Sequence, residues 1–209
     1  MLSADDPLPF QPERVLIAGV TGSGKTTLAR RVAADFGLVH HEIDALHHGP
    51  NWTPRPQFLA DVRAFAATDR WVTEWQYTSK GTDEILPGRA QLAIWLDYPW
   101  HVVRSRLLRR TLKRRVLRTS LWNGNVEPPL WSREAWNSEN DILRWQQETR
   151  HKWDNRMPEV EARFPHLSIV RMQHPRETER WLRRSERQRQ AQAESGASTA
   201  PPNRRSRDR

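Results

Sequence analysis

The sequence predicts an α/β protein, a parallel sheet with helices on both faces, and three observations predict it. Short apolar runs bounded by turn residues alternate with longer segments of helical spacing from residue 15 to residue 187. Between the first run and the first helix lies Gly19-Val20-Thr21-Gly22-Ser23-Gly24-Lys25-Thr26, a complete G-x-x-x-x-G-K-[ST] segment. Finally, Lys25, Asp44, Glu74 and Asp97 each follow an apolar run, where open α/β sheets gather their ligands beyond the carboxyl ends of the strands.

Taken in order, residues 15–18 read as a buried strand, and residues 27–36 as a helix stopped by Gly37. A second strand spans 38–43 and ends at Asp44, followed by a loop carrying His47, His48, Gly49, Pro50, Asn51, Trp52 and Pro54. Phe58, Val62 and Phe65 give residues 57–67 helical spacing. Residues 71–74 form a short third strand, and 91–97, the most apolar stretch, a fourth that Pro99 ends. A basic helix runs over 101–115, and 121–136, rich in Trp, Asn, Gly and Pro, reads as a loop. A helix over 138–157, a fifth strand over 167–171 and a last helix over 176–187 complete the pattern, and no internal repeat is visible. The expected organisation is an N-terminal arm (1–12), one domain (13–187) with a lid at about 114–140, and a disordered basic tail (188–209).

Composition excludes several classes. Without cysteine there is neither a disulfide framework nor a thiolate metal site. The N-terminus lacks the basic start and apolar centre of a signal peptide. No apolar run approaches the roughly 18 residues of a membrane span. The expectation is a soluble, cytoplasmic protein, a monomer or homodimer, with no membrane partner. Of the net charge of +9, residues 183–209 supply +5, through eight arginines against three acids. A second cluster, Arg104, Arg106, Arg109, Arg110, Lys113, Arg114, Arg115 and Arg118, has no acid within it. The tail reads either as a nucleic-acid contact or as a solubilising extension.

The glycine-rich segment carries the most specific chemistry. Its glycines, with Thr21, Ser23 and Thr27, bring backbone amides to phosphate oxygens at a helix N-terminus. Lys25 can reach the β- and γ-phosphates, and the Thr26 hydroxyl can ligate Mg²⁺. Asp44 could take a proton from an acceptor hydroxyl or hold it in line, and its place at a strand end beside the glycine-rich segment favours that role over an N-cap. In the basic cluster, arginines at three- and four-residue spacings share a helix face, and like charges so placed repel. A phosphate-facing lid explains them better than solvation, with Arg110 and Arg115 the first choices for transition-state charge. His40, His41, His47 and His48 lack zinc-site spacing and read as packing or substrate contacts. Trp52 is the best placed of Trp52, Trp75, Trp122, Trp131 and Trp136 to stack on a base.

With the P-loop, Ile43-Asp44-Ala45-Leu46 and Asn51-Trp52 in view, the chain resembles the small adenylate-kinase-like P-loop proteins. It is most similar to the subgroup called DNA topology modulation proteins. Trp71-Val72, Ile94-Trp95-Leu96-Asp97-Tyr98-Pro99, Arg109-Arg110-Thr111-Leu112 and Leu121-Trp122-Asn123-Gly124-Asn125 extend the likeness over roughly residues 13–183. The resemblance implies a three-layer α/β/α P-loop NTPase sandwich of the nucleoside/nucleotide-kinase type. It also implies a five-stranded parallel sheet, a helical lid and MgATP as donor. It favours Glu74 over Asp97 as the acid serving Mg²⁺, because the strand of Asp97 matches the one before the lid. Relatives tend to read W-V-[IV]-D-G-N-Y where this chain has Trp71-Val72-Thr73-Glu74-Trp75-Gln76-Tyr77. The arginine and proline of nucleoside monophosphate kinases are missing there too, which argues against a nucleoside monophosphate acceptor.

The favoured expectation is an ATP-dependent kinase acting on a small-molecule hydroxyl or phosphate acceptor, with ATP and Mg²⁺ as cofactors. The alternative is a nucleic-acid-associated NTPase using its basic lid and tail. An ATP-binding protein in which the Glu74-Trp75 change has abolished transfer is the third reading.

Overall fold

The structure is a computed structural model that describes residues 1–128 and 142–198, the last eight of these as backbone only. Trp131, Trp136 and the second part of the expected lid, residues 129–140, lie outside the described residues, as does the tail from 199 onward.

Thirteen strands and α-helices follow one another among the described residues, with four short 3-10 turns between them. They are β1 (Leu2–Ser3), β2 (Arg14–Gly19), α1 (Lys25–Phe36), β3 (Val39–His41), α2 (Ile43–His47), α3 (Phe58–Ala66) and β4 (Trp71–Glu74). Then come β5 (Leu92–Leu96), α4 (Trp100–Val116), α5 (Ile142–Glu148), α6 (Lys152–Arg163), β6 (Ser168–Met172) and α7 (Pro175–Ser198). All strand pairs are parallel, in the order β1-β6-β5-β2-β4-β3.

Strand alternation assigns the two layers of helices. In β2, Val15 and Ile17 join a core with Leu28, Ala29, Val32 and Phe36 of α1 and with Trp181 and Leu182 of α7. Leu16 and Ala18, one residue out of phase, join the other core with Phe58, Val62 and Phe65 of α3 and Trp153 and Met157 of α6. The four β2 side chains are fully buried, each large one contributing about 1.5–3 kcal/mol. The result is the expected three-layer α/β/α sandwich.

Four elements differ from expectation. The sheet has six strands rather than five. The sixth is the N-terminal arm itself, with Leu2 beside Val170 and Ser3 beside Arg171, a pairing too short to show periodicity. Asp6 clamps its end by accepting from the Ser3 amide at 2.7 Å and the Ser3 hydroxyl at 2.8 Å. β3 ends at His41, because the Ile43 amide turns to the Glu74 carboxylate and opens α2. Asp44 therefore lies in a helix's first turn, not at a strand end. The helix expected over 138–157 is split at 149–151, because its halves dock on different surfaces. Gln146 reaches the glycine-rich loop, while Trp153 and Met157 enter the core beneath the sheet. Finally, α7 continues to Ser198, eleven residues beyond the expected end, into the segment expected to be disordered.

Candidate active site

Gly19 to Gly24 turns sharply out of β2 and leads into α1, whose first turn leaves backbone N–H groups without helical acceptors. At Gly22 (φ +89°) an added Cβ would lie 2.6 Å from the Val103 carbonyl oxygen and 3.0 Å from Leu107 Cβ, so α4 packs directly on the loop. Beside it Gln146, fully buried, has its Nε2 3.2 Å from the same Cβ position and donates to the Thr21 carbonyl at 2.6 Å. Arg106 donates to the Ser23 carbonyl at 3.1 Å. The loop is thus braced by α4 and α5, with the Thr21 and Ser23 carbonyls occupied.

Above it opens a cleft of about 1580 Å³. Gly19, Thr21, Gly22, Ser23, Gly24, Lys25, Thr26 and Thr27 line it, as do Asp44, Arg110 and Arg115. Every residue expected to bind nucleotide therefore meets every expected catalytic residue in one cleft. Lys25 donates to the Val20 carbonyl at 3.2 Å. Burial pulls its pKa down to about 8, against the upward pull of Asp44 and Glu74, while Arg110 and Lys152 add repulsion. Its ammonium is poised to gain from an incoming anion.

The Asp44 carboxylate accepts from the Tyr77 hydroxyl at 2.7 Å and, more loosely, from Gln76 Nε2 at 3.4 Å. Tyr77 also meets His48 Nε2 at 3.0 Å. Burial and the adjacent Asp44 raise the Tyr77 pKa, so it stays a neutral donor. Tyr77 stacks on His47 with centroids 4.0 Å apart, and Lys80 Nζ donates to His47 Nε2 at 2.8 Å. Desolvation, with Lys80 and His48 nearby, pushes the His47 pKa down to about 4, so the ring accepts as a neutral group. His41 stacks on Phe65 at 4.3 Å, and His40 pairs with Glu74. All four histidines thus take part in packing or hydrogen bonding.

Glu74 and Asp97 do not line the cleft. Glu74 is fully buried, one oxygen 3.1 Å from His40 Nε2 and the other accepting from the Ile43 amide at 3.1 Å. Burial drives its carboxyl up, but the His40 hydrogen bond and charge and the amides outweigh that and hold it ionised. A magnesium contact would require Glu74 to give up one of these partners; its work here is to set the start of α2 and hence Asp44. Asp97 is held by Arg171 at 2.8 and 2.5 Å.

The basic cluster divides. Arg110 makes no ion pair among the described residues. Arg115 is buried, its Nε 3.8 Å from a Glu127 oxygen, and Arg114 meets the other Glu127 oxygen at 3.2 Å. The counter-charge missing from the helix comes from beyond it, which makes Arg115 a weaker transition-state choice than Arg110.

Several contributors have contacts that no local signal in the sequence gave. Glu42 lines the cleft and accepts from Trp122 Nε1 at 2.8 Å and from Arg30 at 2.9 Å. Asn125, buried, donates to the Gly49 carbonyl at 2.9 Å and accepts from the Trp52 amide at 3.0 Å, while Asn123 donates to the His48 carbonyl. Residues 121–126 therefore strap the lid to the 48–54 loop. Trp52 and Trp122 stand edge-on at 6.4 Å on that strap and both line the cleft. Trp75 is instead fully buried, its indole N–H donating to Asp83 at 2.9 Å.

No family model matches the chain, and no curated protein matches it. Among solved structures it is similar to a gluconokinase from Sinorhizobium meliloti 1021, at 21% identity over 88% of this chain and 98% of that one, TM-score 0.47. It is also similar to a shikimate kinase from Acinetobacter baumannii in complex with shikimate, at 14% identity over 90% and 96%, TM-score 0.49. A third likeness is to a sugar kinase from Janibacter sp. HTCC2649, at 23% identity over 71% and 97%, TM-score 0.33.

Proposed function

We propose that this protein is an ATP-dependent small-molecule kinase that moves the γ-phosphoryl group of MgATP to an acceptor hydroxyl. The observation that carries the reading is the sharing of one cleft by the phosphate-binding loop, Lys25, Arg110 and the Asp44 carboxylate. Sheet order gives the cleft a direction. Asp44 follows β3 on one side of the loop after β2, and Pro175 and Thr178 follow β6 on the other. A nucleotide whose γ-phosphate faces Asp44 would lay its ribose and base toward Pro175 and Thr178.

Loop amides and Lys25 would bind the phosphates, and Arg110 would offset charge on the moving group. Asp44, oriented by Tyr77, would hold the acceptor O–H in line and receive its proton as the new P–O bond forms and ADP leaves. The strap over residues 48–52 would exclude water, which otherwise competes as acceptor. The hard oxygen donors of Thr26, Glu42 and Asp44, lining the same cleft, fit a magnesium ion. When bound, that ion would be held by Thr26 and a cleft carboxylate and would neutralise β,γ-phosphate charge.

The test is ADP release from MgATP across nucleosides, nucleotides, sugars, sugar acids and duplex DNA, with Lys25→Ala and Asp44→Asn as controls. A small hydroxyl compound that raises turnover many-fold in the native protein alone establishes the kinase. Stimulation by DNA alone overturns it.

A further inference from the structure

We propose that α7 and Arg106 form a second anion site, for a multiply phosphorylated small molecule, coupled to the nucleotide cleft through Arg106. The site is a groove of about 680 Å³, within the size range of small-ligand sites, walled by Arg106, Arg176, Arg180, Arg183, Arg184 and Arg187. Arg176, Arg180, Arg183 and Arg187 recur at four-, three- and four-residue steps, so one exposed stripe presents them all over about 16 Å.

The counter-charges are spent elsewhere. Glu179, the one acid in the groove wall, is held bidentately by Arg31 at 2.5 and 3.0 Å. Asp5 of the N-terminal arm takes Arg184 at 3.1 Å and Arg180 at 3.4 Å. Arg106, Arg176, Arg183 and Arg187 are left without an ion pair among the described residues. Like charges gathered in one groove, three on α7 and Arg106 on α4, repel, and a bound polyanion relieves that repulsion with charge-assisted, bidentate hydrogen bonds.

Compactness argues for a small molecule. The cations converge from two elements, α4 and α7, and the groove opens into the nucleotide cleft, which shares Arg106, Pro175 and Glu179 with it. Arg106 also supplies the coupling. Its guanidinium lies 5.3 Å over the Tyr98 ring and donates to the Ser23 carbonyl of the phosphate loop. An anion that draws Arg106 toward α7 would loosen that brace, so groove and cleft occupancy alter each other's affinity by the same factor.

The site does not depend on kinase chemistry, and its test separates the two. Inorganic tripolyphosphate is titrated calorimetrically into full-length Lys25→Ala, where the cleft is disabled. One equivalent is expected to remain, and to weaken at least tenfold when Arg183→Glu and Arg187→Glu are added at these exposed positions. The Arg183→Glu/Arg187→Glu protein with Lys25 intact should bind ATP in the cleft as tightly as the native protein does alone. With native Lys25, tripolyphosphate also competes for the phosphate loop, so the coupling is read as the part of its effect on ATP affinity that Arg183→Glu/Arg187→Glu removes; that part should be at least threefold, and Arg106→Ala should remove it too. No residual binding in Lys25→Ala, or binding that survives the two charge reversals, overturns the site. An oligonucleotide that binds the same stripe a hundredfold more tightly than tripolyphosphate overturns its assignment to a small molecule.

Discussion

The two ends of the cleft are built on different plans. The proposed donor end is one continuous segment, β2 through α1, in which backbone amides and one lysine would do the binding. The acceptor end is assembled from side chains of three distant segments: Glu42 to Trp52, Glu74 to Lys80, and Trp122 to Glu127. A site made of backbone tolerates variation around it, whereas one made of side chains can be re-specified by single substitutions. The donor end therefore declares a chemistry and the acceptor end a specificity.

The strongest test of this division is Lys25→Ala, expected to lower phosphoryl transfer by about a thousandfold or more, as loss of a principal phosphate contact does. ATP binding should fall with it in a calorimetric titration. Asp44→Asn should cut kcat by about 10²–10⁴ while leaving the ATP Kd within threefold. An equal loss in ATP affinity would mean that the two ends are not separable.

Glu74→Gln comes next. As a buried bridge from β4 to His40 and Ile43 it should lower stability by about 1–3 kcal/mol, read as a fall in Tm, with the magnesium requirement unchanged. A raised magnesium requirement at unchanged Tm would return Glu74 to the metal role its strand-end position suggested. Asn125→Ala should cost about 1–2 kcal/mol and raise the KM for the acceptor more than that for ATP, because it unfastens the strap.

The smallest effect is on pH dependence. Lys25 titrates near 8 in the free protein, so its cationic fraction falls as pH rises through that value. ATP affinity should decline above about pH 8, and binding there should take up close to one proton, measurable in buffers of different ionisation enthalpy. Proton release would reverse the assignment.

The same contrast governs what could be read in advance. The phosphate loop was legible because its residues are consecutive and their order is the geometry. β4 was found at its observed limits, residues 71–74, and β5 to within one residue at each end, because buried strands are written as apolar runs. β1 was missed since two residues carry no period, and Gln146 because nothing near it in sequence distinguishes one glutamine from Gln147. The approach of Arg115 to Glu127 was not legible, because Glu127 lies outside the helix that displayed the charges.

By itself, the sequence determined the α/β class, the places of the main strands along the chain and the phosphate-binding loop, all properties of local periodicity and contiguous backbone. Only the tertiary structure decided that Glu74 is a buried strut, that Asp44 opens a helix beneath Tyr77, and that the lid is strapped to the 48–54 loop by asparagines. Those outcomes depend on which buried polar groups find partners, and each partner lies tens of residues away along the chain.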